Sequence, residues 1–98
     1  MELTVERLRE VLHYDAATGL FTWRVALSNK GPVGSTAGFL TKRGCICIGI
    51  DNAEHKAHRL AWLYMTGRWP LGEVDHRNTD STDNRWNNLR DTSHQVNM

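Results

Sequence analysis

The sequence predicts a single small α+β domain with a β-rich N-terminal half, one buried helix and a C-terminal ββα unit. A chain of 98 residues is long enough for one modest hydrophobic core. Residues 20–57 contain short alternating segments separated by turn residues, a pattern typical of strands. Residues 58–66 are instead apolar on almost every side, which is typical of a buried helix. We therefore divide the domain, residues 1–98, into parts at 1–57, 58–73 and 74–98.

The composition is that of an ordinary globular protein, with 40% hydrophobic and 23% charged residues. No run of about 18 apolar residues is present, which argues against a membrane span. The charged N-terminus lacks the apolar segment of a secretory signal. Two cysteines, Cys45 and Cys47, are spaced too closely on one strand to pair comfortably, and they fit buried thiols in a reducing compartment. We therefore expect a cytoplasmic protein.

The first helix is predicted by the apolar spacing of Val5, Leu8, Val11 and Leu12, with Thr4 as its N-cap. We place His13 at the end of this helix, where an imidazolium is favourable with the helix dipole. Residues 15–19 then form a turn, residues 20–25 a strand and residues 26–35 a partly basic loop.

Two further strands are predicted at residues 36–40 and 44–50, joined by a turn in which Gly44 relieves the backbone constraint. A second turn at 51–54 leads to a short strand at 55–57. The helix at 58–66 is expected to end at Gly67, and Pro70 prevents it from resuming. The C-terminal ββα unit consists of strands at 74–78 and 88–91 and a helix that begins near residue 92 or 93.

The residues that carry chemistry lie in this last unit. Asp75 and His76 are adjacent, Asn88 follows twelve residues after His76, and Asn97 follows twenty-one after it. Aspartate is a hard oxygen donor suited to Mg²⁺ or Mn²⁺, and histidine accepts a proton near neutral pH. An asparagine can bind the same metal or fix the orientation of a neighbour. Such a set suits phosphodiester hydrolysis, which needs a charge-neutralising ion and an activated water.

These residues resemble the HNH endonucleases of the phage and intron-homing kind. The resemblance rests on a hydrophobic-Asp-His-x-Asn strand at 74–78, on Asp-Asn-Arg-x-x-Asn-Leu-Arg at 83–90 and on the following Asn97. It extends upstream through His-Arg-Leu-Ala-Trp at 58–62, Thr-Gly-x-Trp-Pro at 66–70 and the run at 14–24. It thus covers nearly the whole chain.

The resemblance implies a ββα-metal fold that holds one divalent cation, Mg²⁺ or Mn²⁺. Asp75 and Asn97 are then the metal ligands, and His76 is the general base. Asn88 holds His76 through its backbone or its ring. The implied activity is DNA phosphodiester hydrolysis by a nicking or homing enzyme of phage or mobile-element origin, acting as a monomer without a small-molecule cofactor. Because the chain ends one residue after Asn97, we expect the final helix to be truncated.

The distribution of charge supports a polyanionic partner. Residues 24–59 contain six Lys or Arg and two Asp or Glu, a local balance of +4 in a chain whose net charge is +1. The candidate DNA-contacting residues are Lys42, Arg43, Lys56, Arg59, Arg85 and Arg90. Arg85 and Arg90 have an alternative role, in ion pairs with Asp80, Asp83 or Asp91. A solvated surface with chance clustering is the other interpretation of the basic segment.

Two other functions remain open on the sequence alone. The first is a non-catalytic DNA-binding module whose finger grips DNA without cleaving it. The second is a structural zinc domain that uses Cys45, Cys47, His55 and His58. His94, one helical turn before Asn97, is an outside candidate for a third ligand of the nuclease metal.

Overall fold

The structure is a computed structural model that describes residues 2–26 and 31–91. In chain order its elements are α1 (Val5–Val11), β1 (Leu12–Asp15), β2 (Leu20–Trp23), β3 (Phe39–Leu40), β4 (Ile46–Ile50), β5 (Ala53–Lys56), α2 (Ala57–Thr66), β6 (Val74–His76), a 3₁₀ turn (Trp86–Asn88) and β7 (Leu89–Asp91). The described strands form three small antiparallel sheets, β1–β2, β3–β4–β5 and β6–β7. The predicted α+β class is confirmed. The helix predicted after residue 91 lies outside the described residues.

Helix α1 begins as predicted, because the Oγ1 atom of Thr4 accepts a hydrogen bond from the backbone amide of Arg7 at 3.2 Å. It ends one residue earlier than the apolar spacing indicated. Leu12 already belongs to β1 and pairs with Trp23, and both side chains are buried. His13 is therefore an exposed strand residue, and its predicted position at a helix end is wrong. Strand pairing across the hairpin overrides helical spacing here.

Two strands of the middle sheet differ from the prediction. Strand β3 is shorter, and strand β5 begins earlier in the chain. Strand β3 contains two residues where five were predicted, and Thr36 makes only an isolated bridge to Thr22. The turn between β4 and β5 is a tight one at Asp51 and Asn52, which have φ angles of 51° and 68°. Both residue types tolerate this left-handed backbone. Consequently β5 begins earlier than predicted, and Ala57 opens the helix.

Helix α2 lies at the centre of the core, as predicted. Leu60 and Ala61 are completely buried, and Gly67 ends the helix in a left-handed conformation with φ 83°. Residues of α1, of the β1–β2 hairpin, of β4 and of the strands β6 and β7 pack around it. The main core residues are Leu8, Val11, Leu12, Tyr14, Phe21, Trp23, Ile48, Ile50, Leu63, Val74 and Leu89. In the part of the chain that the structure describes, no helix has the length and apolar character needed to cross a membrane.

Candidate active site

The candidate site is built on the β6–β7 hairpin. Asp75 pairs with Arg90 across the two strands, and His76 pairs with Leu89. Because successive strand residues point to opposite faces, Val74 and His76 turn into the core while Asp75 turns outward. The two chemical groups are thus adjacent in sequence but divided between a buried and an exposed environment. The strands are shorter than predicted, although Arg77 still donates a backbone hydrogen bond to Asn88 at 2.8 Å.

The imidazole of His76 is buried and held at two sides. Its Nε2 atom lies 2.8 Å from Oδ1 of Asn84, which is also buried. The ring of His58 stands almost perpendicular to it, with 4.9 Å between the ring centroids and an interplanar angle of 78°. An amide oxygen and an aromatic ring therefore restrict how the His76 ring can rotate.

His58 comes from the first turn of α2 and is itself buried. Among the described residues its Nδ1 atom is a buried polar atom without a hydrogen-bond partner. Burial, assisted by the charges of His76, Lys56 and Arg59, lowers the pKa of His58 to about 4. His58 is therefore neutral at physiological pH and presents an uncharged ring to His76.

The carboxylate of Asp75 is half-exposed, with 45% of the side chain accessible, and it is paired with Arg90. The Nε and Nη2 atoms of Arg90 lie 3.1 and 2.8 Å from Oδ2 of Asp75. This hydrogen bond is the main reason why the pKa of Asp75 lies below its ordinary value. Asp75 is thus an anion at neutral pH, as a cation ligand must be. The sequence left two roles open for Arg90, a DNA contact or an ion pair. In the structure Arg90 forms an ion pair, and its partner is Asp75.

Asn88 ties the loop between the two strands together. Its Nδ2 atom donates to Oδ1 of Asn78 at 2.9 Å and to the backbone carbonyl of Asp83 at 2.8 Å. Its Oδ1 atom accepts from the backbone amide of Asn78 at 3.1 Å. The side chain that contacts the His76 ring is Asn84 rather than Asn88. Asn88 therefore reaches His76 only through the loop and the neighbouring backbone, and a catalytic role for it stays a prediction.

Asp83 is the other anchor of this loop. It accepts from Nδ2 of Asn78 at 2.8 Å and from the Nε and Nη2 atoms of Arg85 at 2.8 and 2.7 Å. The bonds from Arg85 are the main cause that lowers the pKa of Asp83 to about 2. Arg85 accordingly takes its ion-pairing role in the structure.

Sequence reasoning missed Asn84, which it took only as part of a turn. The signal that pointed to it was weak: an amide between two charged residues in a polar loop. Asn97, the predicted second metal ligand, lies beyond the described residues, and so does His94, the less favoured candidate for a third ligand. The basic candidates Lys42 and Arg43 lie exposed in the β3–β4 turn, and Lys56 lies exposed at the end of β5.

Arg59, the remaining DNA-contact candidate, is partly buried. Its guanidinium lies over the ring of Trp69, 5.6 Å from the centroid, and Trp69 also stacks on His55. Arg59 thus packs against an aromatic ring within the protein. A contact between Arg59 and DNA stays a prediction.

The metal chemistry can be tested against the donor set. Within residues 2–26 and 31–91, no three or more His, Cys, Asp or Glu side chains come together in a way that could hold a metal. The structural zinc domain predicted as an alternative from Cys45, Cys47, His55 and His58 is therefore not supported, because all four lie in the described ranges. Asp75 fits a different kind of site. Mg²⁺ keeps several waters and commonly takes one or two protein oxygens together with substrate phosphates.

Comparison with known families places these residues in context. A family model described as HNH endonuclease matches residues 55–98, a segment that includes Asp75, His76, Asn84 and Asn88. No curated protein and no solved structure matches the chain. The resemblance to HNH endonucleases is therefore confirmed over residues 55–98, the segment that contains the candidate site.

Proposed function

We propose that this protein is a divalent-metal-dependent DNA endonuclease that hydrolyses phosphodiester bonds. The observation that carries the proposal is the pair at the centre of the matched segment, where an anionic, half-exposed Asp75 adjoins a buried His76 whose ring is fixed by a hydrogen bond. One group suits a hard cation, and the other suits proton transfer.

In this mechanism His76 acts as the general base. Its neutral imidazole accepts a proton from a water molecule, and the oxygen of that water attacks phosphorus in line with the leaving group. A P–O bond to the water oxygen forms, and the P–O3′ bond breaks. The leaving 3′ oxygen takes up a proton from solvent, and His76 returns its proton to solvent, so the products are a 5′-phosphate and a 3′-hydroxyl.

Asp75 and the predicted ligand Asn97 would hold the cation, Mg²⁺ or Mn²⁺. When bound, the cation neutralises charge on the scissile phosphate and stabilises the leaving 3′ oxygen. When no cation is bound, the hydrogen bonds from Arg90 orient the Asp75 carboxylate and favour its ionised form. Lys42, Arg43 and Lys56 are the proposed backbone contacts for DNA, because they are exposed and lie on one three-stranded sheet or at its end.

The resemblance to phage and intron-homing enzymes supports two further parts of the proposal. We assign the enzyme to a phage or mobile element. A monomer with a single site per chain cuts one strand at a time, so nicking is the expected outcome.

The test is the relaxation of supercoiled plasmid in Mg²⁺ or Mn²⁺, with EDTA as the control for metal. Wild-type protein should nick the plasmid only with the cation, and His76→Ala should abolish nicking. His13→Ala is a matched control, since His13 is exposed on β1 and its loss should leave the rate unchanged. Equal nicking by His76→Ala and wild type would refute the role of His76.

One observation favours a second function, a DNA-binding module without cleavage. The Asp75 carboxylate is engaged by Arg90, and an ion pair of this kind competes with a cation for the same oxygens. A module of this type would retain plasmid in a mobility-shift assay with and without EDTA and would never relax it. Binding accompanied by cation-dependent nicking excludes the module.

A further inference from the structure

Asn84 occupies a position at which it can determine which nitrogen of His76 carries the hydrogen. Its side chain is buried, and its Oδ1 atom lies 2.8 Å from Nε2 of His76. A carbonyl oxygen can only accept a hydrogen bond. Nε2 must therefore be the protonated nitrogen of the neutral ring, which leaves the lone pair on Nδ1 to accept a proton.

The backbone of Asn84 is held in turn by the N-terminal hairpin. The buried hydroxyl of Tyr14, on β1, donates to the carbonyl oxygen of Asn84. Burial raises the pKa of Tyr14, so the hydroxyl keeps its proton and remains a donor. The ring of Tyr14 is packed against Phe21 of β2, with 4.8 Å between the centroids. The donor is thus fixed from both strands of the hairpin.

Two further contacts join the same two segments. The backbone amide of Trp86 donates to the carbonyl of Ala16 at 3.1 Å. Gly19, with φ 79°, approaches so closely that an added Cβ would lie 2.3 Å from the carbonyl carbon of Asn84. Only glycine permits this approach. The family match begins at residue 55, so the whole hairpin lies outside the matched segment.

We infer that Asn84 is a positioning residue that fixes the orientation and tautomer of His76, and that Tyr14 holds Asn84 in place from the N-terminal hairpin. The assignment of His76 as the base rests on the proposed function. The chain of contacts runs from the Tyr14 hydroxyl to the Asn84 carbonyl and from the Asn84 amide oxygen to the His76 ring. The hairpin thereby becomes part of what the reaction requires.

Asn84→Ala removes the acceptor, and Asn84→Asp keeps an oxygen at the same place. NMR of the ¹⁵N-labelled imidazoles supplies a readout that does not depend on cleavage. The Nε2–H proton of His76 should be observable in the wild type, since a hydrogen bond in a buried site slows its exchange with water. The signal is assigned by its absence in His76→Gln. It should disappear in Asn84→Ala and persist in Asn84→Asp.

The same variants are compared in plasmid nicking. Losing the hydrogen-bond partner that orients a metal ligand typically costs about 10- to 100-fold in activity, and we expect a loss of the same order for a base that is oriented in this way. Asn84→Ala should therefore lower kcat by about that factor with an unchanged KM for DNA, and Asn84→Asp should recover most of the loss. A purely structural role would be visible in the melting temperature and would not separate kcat from KM.

Tyr14→Phe is the second test variant, for the case in which Asn84→Ala does not fold. It removes a single hydroxyl and keeps the packed ring, so the chain should remain folded. It should lower kcat by several-fold and weaken the Nε2–H signal. Tyr64→Phe is the matched control. It deletes a hydroxyl from the neighbouring ring of the same aromatic cluster, and the centroids of the Tyr64 and Tyr14 rings lie 5.8 Å apart. Tyr64→Phe should alter neither the NMR signal nor kcat.

An unchanged Nε2–H signal in Asn84→Ala, or in Tyr14→Phe if the alanine variant is unfolded, overturns the inference. If the enzyme is active, a wild-type kcat in folded Asn84→Ala or in Tyr14→Phe also overturns the inference. The NMR arm remains decisive if the wild-type protein cleaves no DNA. In that case the proposed nuclease function fails, while the loss of the signal in Asn84→Ala still supports the positioning of His76.

Discussion

Replacing Asn88 by alanine should destabilise the protein through the loop between β6 and β7. The substitution removes three hydrogen bonds, two to Asn78 and one to the carbonyl of Asp83. Each is worth about 1 kcal/mol net, and water can replace part of the loss on the exposed side of Asn78. We therefore expect a loss of about 2–3 kcal/mol in the free energy of unfolding. A domain of this size has only about 5–15 kcal/mol in total.

Thermal and urea unfolding measure this effect. The melting temperature should fall by on the order of 10–20 °C, since each kcal/mol shifts it by about 4–8 °C in a domain of this length. The neighbouring Asn87 supplies a matched control because it is the same residue type with an exposed side chain. Asn87→Ala should stay within about 0.5 kcal/mol of the wild type. If the two variants unfold alike, the loop network does not contribute to stability and the reasoning is refuted.

Three further predictions concern other parts of the chain. Gly19→Ala should destabilise far more than Gly44→Ala in the same unfolding assay. Both glycines have positive φ, but an added Cβ clashes with the neighbouring loop only at Gly19 and meets open space at Gly44, where about 1–2 kcal/mol is expected. The pKa of His58 is lowered to about 4 in the fold, so between pH 6.5 and 4 the unfolded chain binds the extra proton. Stability should be fully present above pH 6.5 and fall as the pH drops through that window. The shift is equivalent to about 3 kcal/mol, reduced by solvent screening to on the order of 2. His58→Gln should flatten that dependence, and an equally steep profile in the variant would contradict it. Replacing Lys42 and Arg43 by alanine together should lower the salt slope of DNA binding by about 2, measured by titration at several ionic strengths. An unchanged slope would exclude contact of the turn with phosphate.

Much of the fold could be predicted because it depends on local periodicity. The apolar run of α2 and the left-handed Gly67 at its end are encoded by adjacent residues, and both were confirmed. Helix α1 was predicted one residue too long. Leu12 satisfies the helical spacing as well as the strand, and only its pairing with Trp23 decides between the two. Strand β3 was overestimated for a similar reason, since strand length depends on a partner distant in sequence.

The candidate site divides in the same way. The sequence predicted the strand that carries Asp75 and His76, and alternation along that strand turns His76 inward and Asp75 outward. The partner of each could not be predicted. Arg90 was considered with Asp80, Asp83 and Asp91, yet it pairs with Asp75 across the hairpin. Asn88 was expected to hold His76 through its backbone or its ring, and that role stays a prediction. The amide next to the imidazole belongs to Asn84.

The sequence by itself determined which chemical groups the chain carries, the helices and strands that present them, and the family to which they are similar. These follow from residue type and spacing over a few positions. The tertiary structure decided which groups meet. The bond from Tyr14 to Asn84 spans 70 positions of the chain, and the pair of Asp75 and Arg90 spans 15. Contacts of that kind arise from the packing of separate segments around one core, and no short-range pattern of residues encodes them.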